Sequence, residues 1–286
     1  MLGIVILNYN TWSLAVKCIE SIKKTASNLP MKIYVVDNCS KERPLENDIA
    51  YIKNNSIFIK TDRNMGYSAG NNYGLSKAIS DNCEYIMIVN TDVEFVDDSI
   101  QEMYSFLKKN KEIGIVAPQI YDINNTFSPI YMITKLTAIG KLKNMLLKTP
   151  FRFLFANFEK EFIRKEEIYT PLKVFSVSGC CFMMSRKCAT SIYPLDENTF
   201  LYEEEYILGV ILERLNITAF VIPNTHVIHA HGKSTEKKPL SAYEAFIDSE
   251  QYYMREYLNT NVVLRYFIYI IRNIVKIGRA IKYNHR

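Results

Sequence analysis

Carboxylates, amides and histidines recur in this chain directly after apolar runs, where a strand would release its last side chains into solvent. Ile88-Val89-Asn90-Thr91-Asp92-Val93-Glu94 places Asp92 behind such a run, with Glu94 two residues on and on the same side of an extended chain. Carboxylate oxygens suit a hard divalent cation, Mg2+ or Mn2+, of the kind that neutralises a diphosphate. Three of the four histidines, His226, His229 and His231, fall within six positions on strand-like spacing, so that His229 and His231 share a side. A neutral imidazole is a good Mn2+ ligand. Three consecutive glutamates, Glu203, Glu204 and Glu205, open a helical pattern. Their crowding raises at least one carboxyl pKa, as a general base requires, although acidic residues in a first turn also satisfy the helix dipole.

Amides gather in the same way. Asn8, Tyr9 and Asn10 follow one apolar run, Asp37, Asn38 and Ser40 the next, and Asp62, Arg63, Asn64, Gly66 and Tyr67 the third. Any one of these clusters is explained by turn and cap formation; four on one edge point to a polar ligand. The stretch Asn64-Met65-Gly66-Tyr67-Ser68-Ala69-Gly70-Asn71-Asn72 puts glycines where a strand turns into a helix. Backbone there can approach an anion closely and offer it free N–H groups. The stretch is neither G-x-G-x-x-G nor a Walker loop, so dinucleotide and P-loop chemistry lack their fingerprints.

The elements that must hold these groups alternate. Strand-like runs at Gly3–Leu7, Lys32–Val36, Ser56–Lys60 and Tyr85–Val89 are interleaved with helical patterns at Ser13–Lys24 and Asn72–Ile79, and a later strand is predicted at Ala219–Ile222. A βαβα rhythm implies a mostly parallel sheet covered by helices, and such sheets bind ligands beyond the carboxyl ends of their strands. The 286 residues, 48% hydrophobic and 23% charged, supply an ample core, which excludes disorder and disulfide-stapled scaffolds. A net charge of +5 announces no nucleic-acid partner. Six cysteines without metal-like spacing fit a reduced, cytoplasmic chain. The opening MLGIVILNYN has no signal-peptide character, and no apolar run is long enough to span a bilayer.

Taken in order, VILNYN, VVDNCS, NMGYSAGNNYG, IVNTDVEF, VSGCCFMMSRK, FLYEEEYILGVIL and VIHAHGKS resemble the glycosyltransferase family 2 pattern, and within it a rhamnosyltransferase-like branch of bacterial polysaccharide assembly. The likeness runs from about Gly3 to Ser234 and is interrupted between about 121 and 172. It implies an α/β, Rossmann-like GT-A fold over 1–240, containing that variable insert, with a helical extension over 241–286. It also implies inverting transfer of a hexosyl-type sugar from a nucleotide-diphosphate donor to a hydroxyl acceptor, assisted by Mn2+ or Mg2+.

Residue by residue, the resemblance assigns Asn8, Tyr9 and Asn10 to the nucleotide pocket, Asp37 with Asn38 to the base or ribose, and Asn64, Gly66 and Gly70 to the donor's flank. Asn90-Thr91-Asp92 occupies the family's D-x-D position with Asn for the first Asp, which leaves Asp92 as metal ligand, joined by His229. The family's E-D base motif falls on Glu204-Glu205, with Glu205 as base and Glu204 as the near alternative. The alternatives are a non-catalytic sugar-nucleotide binder, kept in view by Asn90, and a membrane-surface scaffold on the same fold.

Two segments carry no motif. Lys135, Lys141, Lys143, Lys148, Arg152, Lys160, Arg164 and Lys165 face only Glu159 and Glu161 between 135 and 165, and seven basic residues face Glu256 alone between 255 and 286. Both read as basic amphipathic helices for an anionic membrane face, or for packing against the domain or an oligomer partner. Attachment at the inner face of the membrane suits a lipid-linked saccharide acceptor.

Overall fold

The computed structural model describes residues 1–128, 131–146, 167–230 and 240–284. The first part of the chain runs β1 (Leu2–Asn8), α1 (Trp12–Thr25), β2 (Met31–Asp37), α2 (Glu46–Asn55), β3 (Ile57–Lys60), α3 (Tyr67–Ser80), β4 (Tyr85–Asn90), β5 (Val93–Phe95) and α4 (Ser99–Lys109). It continues through β6 (Ile113–Ala117), β7 (Ile120–Tyr121), α5 (Ala138–Leu146), β8 (Leu172–Val174), β9 (Cys181–Ser185) and α6 (Arg186–Ile192). The last elements are α7 (Glu204–Arg214), β10 (Thr218–Val221), β11 (Val227–His229), α8 (Leu240–Glu256) and α9 (Val262–Asn284).

Eight strands form the main sheet in the order β3-β2-β1-β4-β9-β6-β10-β8. Along β1 the side chains divide as the pleat demands: Leu2, Ile4 and Ile6 pack with Trp12, Ile19 and Ile22 of α1, while Val5 packs on the other face with Leu75 and Ala78 of α3. Burial on both faces is why these strands read as continuous apolar runs. β3, β2, β1 and β4 are parallel, with Asn8 opposite Asp37, Asp37 opposite Lys60 and Asn90 opposite Leu7. Four polar strand ends therefore share one rim.

Three features depart from the alternation. α2 buries only Ile52 and so shows almost no apolar stripe. α3 begins at Tyr67 rather than at Asn72, because Ser68, Ala69 and Gly70 are small enough to bury the first turn of the helix. β9 lies antiparallel between β4 and β6, with Cys181 opposite Val89, so Ser178, Gly179 and Cys180 reach the same rim from the opposite direction. A second sheet, β5-β11-β7, pairs β11 antiparallel to β5 with His229 opposite Val93.

α8 and α9 pack on the insert and on α7 through Ala138, Met254 and Ile268 and through Ile207, Val210 and Tyr253. Three cations of α9 reach across to α8. Arg272 makes two bonds to Glu250 at 2.7 and 2.8 Å, Lys276 reaches Glu244 at 3.3 Å, and Arg279 lies over the Tyr243 ring at 4.2 Å. Val263, Phe267, Ile270, Ile274 and Ile277 face solvent. The insert's cations are likewise engaged: Lys135 bonds Glu213 at 2.8 Å, and Lys141 is only 3% exposed. For Lys135 and Lys141 the packing alternative holds; Lys148, Arg152, Lys160, Arg164 and Lys165 lie outside the described residues. Among the described residues no helix is long and apolar enough to cross a membrane.

Candidate active site

The first half of the rim is tied together by its own amides. Asn8 Nδ2 donates to Asp37 Oδ1 and to Ser40 Oγ, both at 3.3 Å, while its Oδ1 accepts from Thr11 N–H and Thr11 Oγ1. Asp37 Oδ1 also accepts from Ser40 N at 3.2 Å and Ser40 Oγ at 2.5 Å. Asn10 sits at φ +59°, a conformation its short amide tolerates, and caps Lys41 and Glu42 N–H. Tyr9 is half-buried beside it.

Asn38, 2% exposed, joins the second strand end to the glycine turn. Its Nδ2 donates to Asn64 Oδ1 and Gly66 O, and its Oδ1 accepts from Met65 N–H. Gly66 has φ +86°, and a Cβ there would lie 2.2 Å from Phe200 O. At Gly70 a Cβ would meet Leu7 at 2.5 Å and Asn38 Nδ2 at 3.1 Å. Gly66 is thus required by backbone approach, whereas at Gly70 the Leu7 side chain would have to shift, and Tyr67 N–H closes the turn's contact by donating to Phe200 O at 3.0 Å.

At the fourth strand end, Asn90 N–H donates to Cys180 O at 2.8 Å, and Thr91 Oγ1 shares a 2.8 Å hydrogen bond with Thr11 Oγ1. Antiparallel pairing of β5 with β11 brings His229 Nε2 to 3.2 Å from Asp92 Oδ1, both side chains 11% exposed. Burial by itself lowers the His229 pKa; hydrogen bonding to Asp92 and Cys180 outweighs it and lifts the value to about 10. A carboxylate oxygen and an imidazole nitrogen facing each other fit a divalent cation, which would take the place of the shared proton. Among the described residues no group of three or more such side chains gathers. Glu94 is exposed on β5, and His226 stands apart, stacked on Tyr121 at 3.9 Å; His231 lies outside the described residues.

The three glutamates separate at the start of α7. Tyr202 and Glu203 both adopt left-handed backbone, φ +74° and +71°, a strain that persists where surrounding contacts over-determine it. Glu203 turns away from the rim and pairs with Lys141. Glu205 Oε1 accepts from Gly179 N–H at 3.3 Å, and Tyr67 Oη donates to Gly179 O at 2.5 Å. Glu204 and Glu205 line a small void with Tyr67, Gly179 and Leu195. Burial raises the pKa of Glu205, and of Glu204 further still because Glu205 adds its charge. Gly179 is flanked by Cys180, whose carbonyl holds Asn90, so hydrogen bonds connect the Asp92 strand end to Glu205 through two residues.

The glycosyl transferase family 2 profile matches residues 3–192. The chain belongs to that family. The low-salt glycan biosynthesis hexosyltransferase Agl10 of Haloferax volcanii is 27% identical over 259 residues, covering 86% of this chain and 72% of the relative. In fold, the family member resembles GalNAc-T7 crystallised with UDP, GalNAc and Mn2+, at TM-score 0.61, 15% identity and 81% of this chain. The S. aureus TarS fragment 1–349 in complex with UDP gives TM-score 0.54 and 14% identity over 87% of this chain. The chain spans 43% of the length of GalNAc-T7 and 64% of that TarS fragment. This is the GT-A architecture.

In this family 2 glycosyltransferase Thr11 and Gly179 bond residues of the site and Lys141 holds Glu203 beside it, yet none of the three stands out by type and spacing as a site residue. Gly179 carries a usable signal, since it follows Ser178 within an apolar run, and a Cβ there would lie 3.1 Å from both Glu205 Oε1 and Tyr67 Oη. Lys141 carries none, being one cation among many in the insert.

Proposed function

We propose that this glycosyltransferase moves a sugar from a nucleoside-diphosphate donor to an acceptor hydroxyl by direct displacement with inversion. The observation that carries the reading is the continuity from Asp92–His229, through Asn90 and Cys180, to Gly179 and Glu205. A two-ligand cation seat and a raised-pKa carboxylate stand on one rim. Asn8, Tyr9, Asn10 and Asp37 flank the nucleotide, Asn38 with Asn64, Gly66 and Gly70 braces its side of the turn, and Asn90 and Thr91 hold Asp92 in place. UDP and Mn2+ in the crystals of related folds favour a uridine donor and a Mn2+ or Mg2+ ion.

Asp92 and His229 would hold the cation, which when bound supplies positive charge to the departing diphosphate. Glu205 removes the acceptor proton as the hydroxyl oxygen bonds to the anomeric carbon and the bond to the diphosphate oxygen breaks. The proton ends on the Glu205 carboxylate, and the electron pair leaves with the nucleotide. A raised carboxyl pKa makes Glu205 a better proton acceptor near neutrality. The half-buried position limits competing water, and Tyr67 holds the Gly179 peptide that aims the carboxylate.

The acceptor reading is a lipid-linked or cell-surface saccharide. It is supported by the glycan-biosynthesis role in the relative's name and by the outward apolar stripe of α9, which fits the interfacial region of a membrane at the cytoplasmic face. Because Arg272 and Lys276 are engaged by α8, attachment through this stripe would rest chiefly on its apolar area. Calorimetric titration of the purified protein with UDP, GDP, CDP and dTDP sugars, in Mn2+ and then in EDTA, tests the reading. One nucleotide should bind tightly and only with metal; no binding by folded protein contradicts it.

A further inference from the structure

The residues on either side of the candidate base close on one buried ammonium. Lys141 Nζ, on α5 of the insert, lies 2.6 and 2.8 Å from the two Glu203 carboxylate oxygens. Its ammonium also sits 4.7 Å above the Tyr206 ring and 5.1 Å from that of Tyr253. Glu250 of α8 approaches it at 3.8 Å and is itself 0% exposed, held by two bonds from Arg272 of α9. Two carboxylates and two cations thus form a neutral quartet in the interior, drawn from the insert, the start of α7 and both C-terminal helices. A buried ion pair adds little net stability over an apolar replacement, but it specifies geometry where a network is complete.

The geometry has a consequence for the site. Glu203 immediately precedes α7 and Tyr206 lies in its first turn, and both meet Lys141. Glu204 and Glu205, between them, must project elsewhere. They do, into the void beside Tyr67 and Gly179. The left-handed backbone at Glu203 is sustained by the same grip: its side chain is drawn to Lys141, while its carbonyl accepts Ile207 N–H in the first helical turn at 2.9 Å.

We propose that Lys141 is a positioning residue: through the Glu203–Lys141–Glu250–Arg272 quartet, the insert and the C-terminal helix pair fix the direction in which Glu205 meets the acceptor. The inference rests on Glu205 as base for its meaning in catalysis, but not for its structural content. It gives the variable insert and the C-terminal extension a role inside the reaction centre, although neither lies on the rim.

Two readouts separate the two levels. In the full-length protein labelled with [13Cδ]glutamate, the Glu205 carboxyl resonance, assigned by its loss in Glu205→Gln, is titrated in the wild type, in Lys141→Arg and in the charge-neutral Lys141→Met/Glu203→Gln variant. The double variant should fold, since it buries no unpaired charge. Its Glu205 titration should move down toward the ordinary glutamate value as water reaches the carboxyl, and Lys141→Arg should restore at least half of the wild-type behaviour. Should the double variant not fold, Glu203→Gln alone carries the same expectation at smaller size. An unchanged Glu205 titration in a folded variant overturns the proposal. With UDP-sugar as donor, the double variant should lower kcat at least tenfold and leave the donor KM within threefold. A titration that moves while neither it nor Glu205→Gln changes kcat would uphold the positioning and overturn Glu205 as base.

Discussion

The two halves of the rim are built on opposite principles. Around Asn8, Asp37, Asn38 and Asn64 the amides and the carboxylate bond to one another, fixing strand ends and turn in place. At Asp92, His229, Glu204 and Glu205 the rim instead carries charged groups, and burial and hydrogen bonding shift the protonation of His229 and of both glutamates. The first half shapes the pocket, and the second retains chemical capacity. Residue type alone does not distinguish them: an aspartate after a strand braces the chain at position 37 and faces a histidine at position 92.

The largest effect that can break this contrast is expected at Glu205. Glu205→Gln should reduce kcat by about 10²–10⁴, the usual weight of a general base, with donor affinity in calorimetry within threefold of wild type. Full activity would move the base to Glu204. The sign of the pH dependence follows from burial. The base works ionised, and its folded pKa is raised, so kcat falls as pH drops through that raised value. The acid limb should lie above the roughly 4.3 of an ordinary glutamate, as read from initial rates across buffers.

Gly66→Ala comes next and probes the bracing half. The left-handed backbone and the 2.2 Å approach to Phe200 O should together cost about 2–4 kcal/mol. Urea unfolding would register this as a lower midpoint at unchanged slope. A stability within 0.5 kcal/mol of wild type, roughly the size of an ordinary surface change, would show that the turn relaxes freely. Smallest of all should be Phe267→Ser/Ile274→Ser on the outward side of α9, within about 0.5 kcal/mol in stability. The same variant should lose most binding to vesicles containing anionic lipid; retained binding would remove α9 from the membrane reading.

Much of the fold was legible because strands buried on both faces leave continuous apolar runs, as β1, β2 and β4 do. α2 was not legible, since one buried isoleucine makes no period. Nor was the antiparallel insertion of β9, because direction is set by distant pairing with β4 and β6. At the site, Asp92, His229 and the glutamates stood out by type, yet their meeting depends on the register of β11 on β5. Lys141 was the least legible of all. A lysine in a basic, apolar insert reads as surface, and only the arrival of Glu203 and Glu250 from other elements makes burial tolerable.

The contrast between the two halves is tested most directly by donor calorimetry and urea unfolding on Asn38→Ala and Asp92→Ala side by side. Asn38→Ala should lose about 1–3 kcal/mol of stability from its stranded buried partners, while its folded molecules bind donor within a few-fold of wild type. Asp92→Ala should cost a similar amount, about 1–3 kcal/mol, as the largely buried His229 loses its carboxylate, but its folded molecules should lose the Mn2+-dependent part of donor binding. The reverse pattern, with metal-dependent binding intact in Asp92→Ala and donor binding abolished in stable Asn38→Ala, would contradict the account.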